Sequence, residues 1–444
     1  MRMATEPHQT TAWGARCARW HLLVAMVVGA VVLLGLMPFV FDHWFYPAHY
    51  LSDLPNDYRY AHATVVGHAP YRSFFPEYPP LSLWLIVPPA LSLSGHVVDF
   101  PHYQVRFAAE MFVLAAACAA LVALTARRLW HDALRAYFAV GVFAVFILAI
   151  GPLMEDRFDM GVALVSALVL LALVYGRPAV AAVLVGLGCA YKITPIVLFP
   201  LPVCLVGWSR RLVVICALCL AATIVGFLPY LVTATAGIRH VLTYQTQRPL
   251  ELESLLGLPV IAGHLLTGAP LYIGVSHRSW SLAGPYSTAM TSLATPLTIL
   301  ALGVVVALLW RGRTTLRNQP RTLALGVLAL YLAFLCGDRV LSPQYLIWLI
   351  PAAVLVALDD PPLGLAVLVT TTLTQLEFPT LWTGIIVLRP VDLLCLCARN
   401  LCLAATFGLA LRRLWRLPGR AAKPAAARDA ERPSWETAAA DQAG

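Results

Sequence analysis

The sequence predicts an all-α polytopic membrane protein, a bundle of about twelve transmembrane helices with a long first loop on the extracytoplasmic side. Three observations carry this. The 444 residues are 60% hydrophobic and 12% charged, whereas soluble domains hold roughly 45–50% apolar and about 25% charged residues. Apolar stretches near the ~20 residues needed to cross hydrocarbon recur along the chain, as in LLVAMVVGAVVLLGLMPFVF at 22–41. Hydrocarbon offers no partner to backbone N–H and C=O groups, so such segments must be helices.

Crossings are expected near 22–41, 107–126, 136–153, 160–175, 178–191, 194–207, 212–233, 289–310, 322–336, 344–358, 363–378 and 391–411. The first is longer than the 7–15 residues of a signal-peptide core and reads as an anchor. Residues 80–97 are apolar but broken by Pro88 and Pro89, and are read as an interfacial or re-entrant helix. That choice places 20 Lys+Arg on the cytoplasmic side and 10 outside, with Arg399 inside a span, in the sense of the positive-inside rule. Both termini are then cytoplasmic in a plasma (inner) membrane. The chain divides into an N-tail (1–21), a membrane domain (22–411) and a tail (412–444) whose Ala, Pro and mixed charges cannot bury a core. The membrane domain carries two long outer loops, 42–106 and 234–288.

The net charge of +9 resides in short loops and the tail, and no nucleic-acid motif accompanies it. The ten cysteines lie mostly in or beside apolar segments, with neither disulfide-framework nor zinc-ligand spacing. Acids gather on the outer side, among them Asp53, Asp57, Glu77, Glu155, Asp156, Asp159, Glu251 and Glu253. Asp and Glu contribute little to orientation, so this clustering points to chemistry on the outer face.

In SDLPNDYRYAH, Asp53 or Ser52 suits the cap of a helix starting near Pro55. A carboxylate at a membrane boundary also suits a general base. Asp57 competes with Asp53 for that role, and spacing alone does not separate them. In GHAPYRSFFPEYPPL (67–81), Arg72, Glu77 and Tyr78 stand among interfacial aromatics, and charges there need a partner or water. EDRFD (155–159) packs three acids and Arg157 into one short loop, either a solvated turn or an acidic cluster for a hydroxyl-rich ligand. The chain has 29 arginines but two lysines. Lys192, before a helix-breaking Pro195, is therefore a candidate phosphate partner, against the simpler reading of a snorkelling lysine. TYQTQRPLELESLLG (243–257) contributes Arg248 and Glu253, and GDRVLSPQYLIWLIP (337–351) contributes Asp338, Arg339 and Gln344. Within the spans Asp392 and Arg399 are the main charges, either paired or lining an interface.

Taken in order, the first-loop Asp, G-x-x-PYR-x-F-x-x-EYPPL, R-F-D, G-x-x-x-x-YK-x-x-P, QRPLELES and RVLSPQYLIWLIP resemble glycosyltransferase family 87 from about residue 40 to 355. That family contains polyprenyl-phosphate-mannose-dependent mannosyltransferases of the GT-C class. The resemblance implies a GT-C-like bundle with a helical first loop bearing the catalytic acid, which it places at Asp53 with Asp57 as rival. It implies inverting transfer of a mannosyl or other hexosyl unit from a polyprenyl-phosphate sugar donor to a glycolipid or glycan acceptor, giving an α-linkage. Lys192, Arg248 and Arg339 become candidates for the donor phosphate. Arg72, Glu77, Tyr78, Arg157, Asp159, Glu253 and Gln344 become candidates for sugar or acceptor. No cofactor is implied, and a divalent metal is neither required nor excluded. The scarcity of lysine fits a GC-rich, actinobacterial-type genome. A transporter or flippase of lipid-linked sugars is the competing class, and it predicts inverted repeats and mid-span charges.

Overall fold

The computed structural model describes residues 52–93 and 95–417. The expected span at 22–41, the N-tail and residues 418–444 of the tail lie outside the described residues. Every expected segment from 107–126 onward coincides with a helical element. Among the described residues five helices are long and apolar enough to cross a membrane: α2 (Phe100–Trp130), α3 (Ala133–Ile150), α6 (Arg210–Thr233), α8 (Ser287–Arg311) and α12 (Pro390–Trp415). Shorter apolar helices lie between them: α4 (Met160–Val174), α5 (Pro178–Tyr191), α9 (Thr322–Gly337), α10 (Ile350–Ala357) and α11 (Pro361–Gln375). The last helix runs to Trp415, so the start of the segment expected to be tail is helical.

The core centres on α9. A helix apolar on every face has no solvent-facing side and is buried all round, and α9 is buried along nearly its whole length. It packs against α8, α10, α12 and α4. Arg399 on α12 is fully buried and pairs with Glu377 (Nη2–Oε1 2.7 Å). Its partner is therefore Glu377, and not Asp392.

The first loop begins with α1 (Leu54–Val65), with Pro55 in its first turn. The Leu54 N–H donates to Ser52 Oγ (3.1 Å), whereas the Asp53 carboxylate makes no cap bond. Ser52 is thus the cap, and Asp53 is left available to its surroundings. Leu54, Asp57, Tyr60 and Ala61 form the buried stripe of α1 at helical spacing. Residues 80–90 break into three short turns around Pro88 and Pro89.

The second long loop corrects the all-α expectation. It contains α7 (Thr235–Gln247) and an antiparallel hairpin, β1 (Tyr272–Ser276) with β2 (Ser279–Ala283). The two turn residues, His277 and Arg278, both have positive φ (50° and 54°). That is the sense of a type I′ turn, which matches the twist of the strands but usually takes Asn-Gly. Residues 250–252 extend the sheet: Leu252 N–H donates to Trp280 O and Leu282 N–H to Leu250 O, each at 2.8 Å.

Gly161, in the first turn of α4, lets Tyr191 come close. A Cβ there would stand 2.5 Å from the Tyr191 hydroxyl, which donates to Phe158 O. Gly161→Ala is expected to destabilise by about 1–3 kcal/mol through overpacking and to disturb the 157–159 loop. A drop of a few degrees in the melting temperature, with loss of activity, checks this.

Candidate active site

Eight segments converge on one cavity of about 620 Å³, one of them giving only the rings of Phe378 and Trp382. The start of α1 supplies Ser52, Asp53 and Asn56, and the first loop adds Glu77 and Tyr78. The 157–159 loop brings Arg157 and Asp159, and the break after α5 brings Lys192. Tyr244, Arg248, Glu251 and Glu253 come from the second loop, His277, Arg278 and Trp280 from the hairpin, and Asp338, Ser342 and Gln344 from the segment after α9.

Glu251 and Glu253 reach the cavity from a turn closed by the Ser254 N–H donating to Glu251 O (3.1 Å), while Leu250 and Leu252 join the core under the hairpin. Period-two alternation explains the contributions after α9. In an extended chain successive side chains point to opposite faces, and Asp338, Val340 and Ser342 line the cavity. Arg339, the residue between, turns away and donates to Thr295 Oγ1 (2.7 Å) and Thr246 O (3.4 Å).

Every Lys or Arg lining the cavity has an acid beside it. Arg157 Nε lies 3.0 Å from Asp53 Oδ2, and Lys192 Nζ lies 2.7 Å from Asp159 Oδ1. Arg248 Nη2 stands 3.5 Å from Glu251 Oε1, and Arg278 Nη1 stands 3.5 Å from Glu77 Oε1. A buried charge is tolerated when it is paired, and here four pairs share one chamber.

Lys192 is held most tightly. Helix α5 ends at Tyr191, Lys192 itself is extended (φ −151°, ψ 133°), and the next turn begins around Pro195. Its ammonium sits over the rings of Phe158, Tyr345 and Trp348, 4.9–5.1 Å from each centroid. Such an arrangement favours a cation. Asp159 Oδ1 also accepts from Trp348 Nε1 (2.6 Å), so one oxygen ties the lysine to a wall of its box.

The two rival acids separate by position. Asp53 lines the cavity, and its side chain is 33% exposed. Asp57 is 1% exposed, lies behind the lining, and neither carboxylate oxygen has a hydrogen-bond partner. Burial, and then the charges of Asp53 and Glu77, push its pKa well above the usual carboxylate range. It is thereby favoured as a neutral acid, which is a poor base.

Burial also raises Glu77, against the opposing charge of Arg278. Glu253 is raised by burial and then by Glu251 and Glu377, and its Oε1 has no partner. Burial pushes Asp338 up to about 6, although the Arg339 N–H donates to it (2.7 Å). An acid raised from about 3.9 in the unfolded chain binds its proton more tightly when folded, so its contribution weakens as pH rises from 4 to 6. Asp338→Asn is expected to flatten that part of the stability–pH curve by about 2–3 kcal/mol. Melting temperatures of both proteins between pH 4 and 7.5 check this.

Of the residues expected from sequence, Asp53, Glu77, Tyr78, Arg157, Asp159, Lys192, Arg248, Glu253 and Gln344 meet at the cavity. Asp57, Arg339 and Arg72 do not line it, and Arg72 is exposed on the surface. The hairpin residues His277, Arg278 and Trp280 had no sequence-based expectation, although the alternation in YIGVSHRSWSLA was their available signal. Among the described residues no three His, Cys, Asp or Glu side chains group as a metal site.

The family model of glycosyltransferase family 87 matches residues 75–337, a range holding all these segments except the start of α1 and the last residues after Gly337. The chain belongs to glycosyltransferase family 87. It is a membrane glycosyltransferase, and the transporter alternative falls with that membership. Among solved structures, ArnT from Cupriavidus metallidurans bound to undecaprenyl phosphate is similar, with 15% identity and a TM-score of 0.45 over 92% of this chain and 78% of that one. No curated protein matches.

Proposed function

We propose that the cavity transfers a hexosyl unit, mannose in the first instance, from a polyprenyl-phosphate sugar to a glycolipid or glycan hydroxyl on the extracytoplasmic face. The observation that carries this is the presence of Asp53 and Lys192 in the lining of one cavity. The cavity thus offers an exposed carboxylate for a hydroxyl proton and an ammonium for a phosphate. A lipid-linked donor also suits an enzyme of this apolar character, and a GT-C-like bundle is the architecture we expect for it.

In this reading the acceptor hydroxyl gives its proton to Asp53, whose orientation Arg157 fixes. The acceptor oxygen attacks C1 of a β-linked donor, the bond from C1 to the phosphate oxygen breaks, and the anomeric centre inverts to α. The polyprenyl phosphate leaves as an anion whose developing charge needs preorganised positive groups. Lys192 has three N–H donors, and Asp159 occupies one. Arg248, whose Nε is buried without a partner, is the second candidate. Asp159 acts in this scheme by holding Lys192, and Glu77, Tyr78, Arg157, Glu253 and Gln344 remain to contact sugar or acceptor.

The test is transfer of labelled mannose from polyprenyl-phosphate mannose by purified protein, using a panel of lipid and glycan acceptors and polyprenyl-phosphate glucose and arabinose as competitors. Transfer from the mannosyl donor with an α-linked product is expected. A product of β-configuration, or transfer from the other donors alone, overturns the assignment.

A further inference from the structure

A second cavity, of about 530 Å³, lies at the far end of the bundle. Helix α4 starts beside Asp159 of the first cavity and ends, 15 residues on, at Val174, which lines the second. Helix α9 starts at Thr322, in the second cavity, and ends after 16 residues beside Asp338 in the first. At 1.5 Å per residue these helices separate the cavities by about 22–24 Å, so the two open towards opposite faces of the membrane.

The second cavity is lined by Arg128, His131, Asn318, Gln319 and Arg321, with Asp359 as its one acid. A third guanidinium lies alongside. Arg135 and Arg321 both sit over the Trp130 indole, 5.3 and 5.1 Å from the ring centroid, and Arg128 lies over Tyr175 at 5.3 Å. Arg135 donates to Leu358 O and Arg321 to Leu129 O, each at 3.3 Å. These contacts fix the guanidinium planes while satisfying only part of their donor capacity. No ion pair to Arg128, Arg135 or Arg321 is present among the described residues.

Arg128 has an ordinary explanation, since a cation in the last turn of α2 complements the helix dipole. Arg321 has the opposite placement. It stands at the N-cap of α9, where the dipole disfavours a cation and favours an anion. Two aromatic-stacked guanidiniums beside a helix N-terminus, with a third over Tyr175, form an environment completed by a bound anion. Basic pockets between transmembrane helices on one membrane face accept lipid phosphates.

We propose that this second cavity binds the phosphate headgroup of an anionic phospholipid, on the membrane face opposite the sugar-transfer cavity. Arg128 and Arg321 supply the planar donors for the phosphate oxygens, and the apolar helix surfaces beside the cavity leave the acyl chains in the bilayer. The site is independent of the identity of the sugar donor.

The test is native mass spectrometry of the full-length protein titrated with phosphatidylglycerol, with phosphatidylcholine and with inorganic phosphate. Wild type is expected to hold phosphatidylglycerol about thirty-fold more tightly than phosphatidylcholine, the preference two arginines give near a lipid surface. That preference should fall on raising salt from 50 to 500 mM. R128Q/R321Q is expected to bind both lipids equally while melting, in phosphatidylcholine, at the wild-type temperature. If that variant does not fold, R128K/R321K keeps the charge without the planar fork and is expected to retain a reduced preference. Equal binding of the two lipids by wild type, a salt-independent preference, or an unchanged preference in R128Q/R321Q overturns the proposal. Binding of inorganic phosphate as tight as that of phosphatidylglycerol assigns the site to a free anion and overturns the lipid reading.

Discussion

Asp53→Asn is expected to lower kcat by about 10²–10⁴-fold, the usual worth of a positioned general base, while leaving donor affinity within a few-fold of wild type. The substitution keeps the side chain's shape and its oxygen near Arg157, but the amide cannot take the acceptor proton. Asp57→Asn gives the contrast. Asp57 is buried behind the cavity lining, and its environment favours the neutral acid, so replacement by a neutral amide should change kcat by only a few-fold. The paired outcome decides between two acids one helical turn apart. Loss at position 57 with retention at 53 reverses the assignment, and equal retention at both removes general-base catalysis from this helix. Acceptors whose hydroxyl is made more acidic should recover part of the loss in Asp53→Asn, because they need less help in releasing the proton.

The contrast between these acids marks where sequence reasoning stops. Both were visible as candidates because charge is conspicuous in an apolar chain, but which one meets the cavity is set by how α1 rolls onto its neighbours. Lys192 was legible for a compositional reason: in a chain with 29 arginines and two lysines, a lysine beside a helix-breaking proline stands out. Arg339 looked equivalent and is not, because in the extended segment after α9 adjacent residues face opposite ways, and Asp338 and Val340 took the cavity side. Arg278 was missed because its placement depends on a hairpin, and an all-α fold anticipates no strand in that loop. The turn there is formed by His-Arg, which lacks the usual Asn-Gly signature. Apolar run length located the helices well, since the requirement to bury backbone polar groups is local. The paired charges of the cavity are contacts across distant segments, and no local pattern encodes them.

Lys192→Ala is the second large effect expected. Removing one preorganised donor from a developing anion costs about 10²–10³ in rate, and here the lost group is a full positive charge in a box of three aromatic rings. The loss should fall mainly on kcat if the ammonium meets charge that appears as the bond to C1 breaks, and on KM if it only anchors the donor. Leaving-group dependence separates the two more sharply. With glycosyl donors of graded leaving-group pKa, Lys192→Ala should show a steeper dependence than wild type, because the poorest leaving groups rely most on stabilisation by the enzyme. Parallel lines for the two proteins would assign Lys192 to ground-state binding alone. Asp159→Asn supplies the intermediate case. It leaves the ammonium in the aromatic box but removes the charged oxygen that fixes it to Trp348, so its rate should lie between wild type and Lys192→Ala, with the same direction of change in slope. Unchanged kinetics in Asp159→Asn would show that the rings alone position the lysine, and an effect exceeding that of Lys192→Ala would give Asp159 a direct part in the reaction.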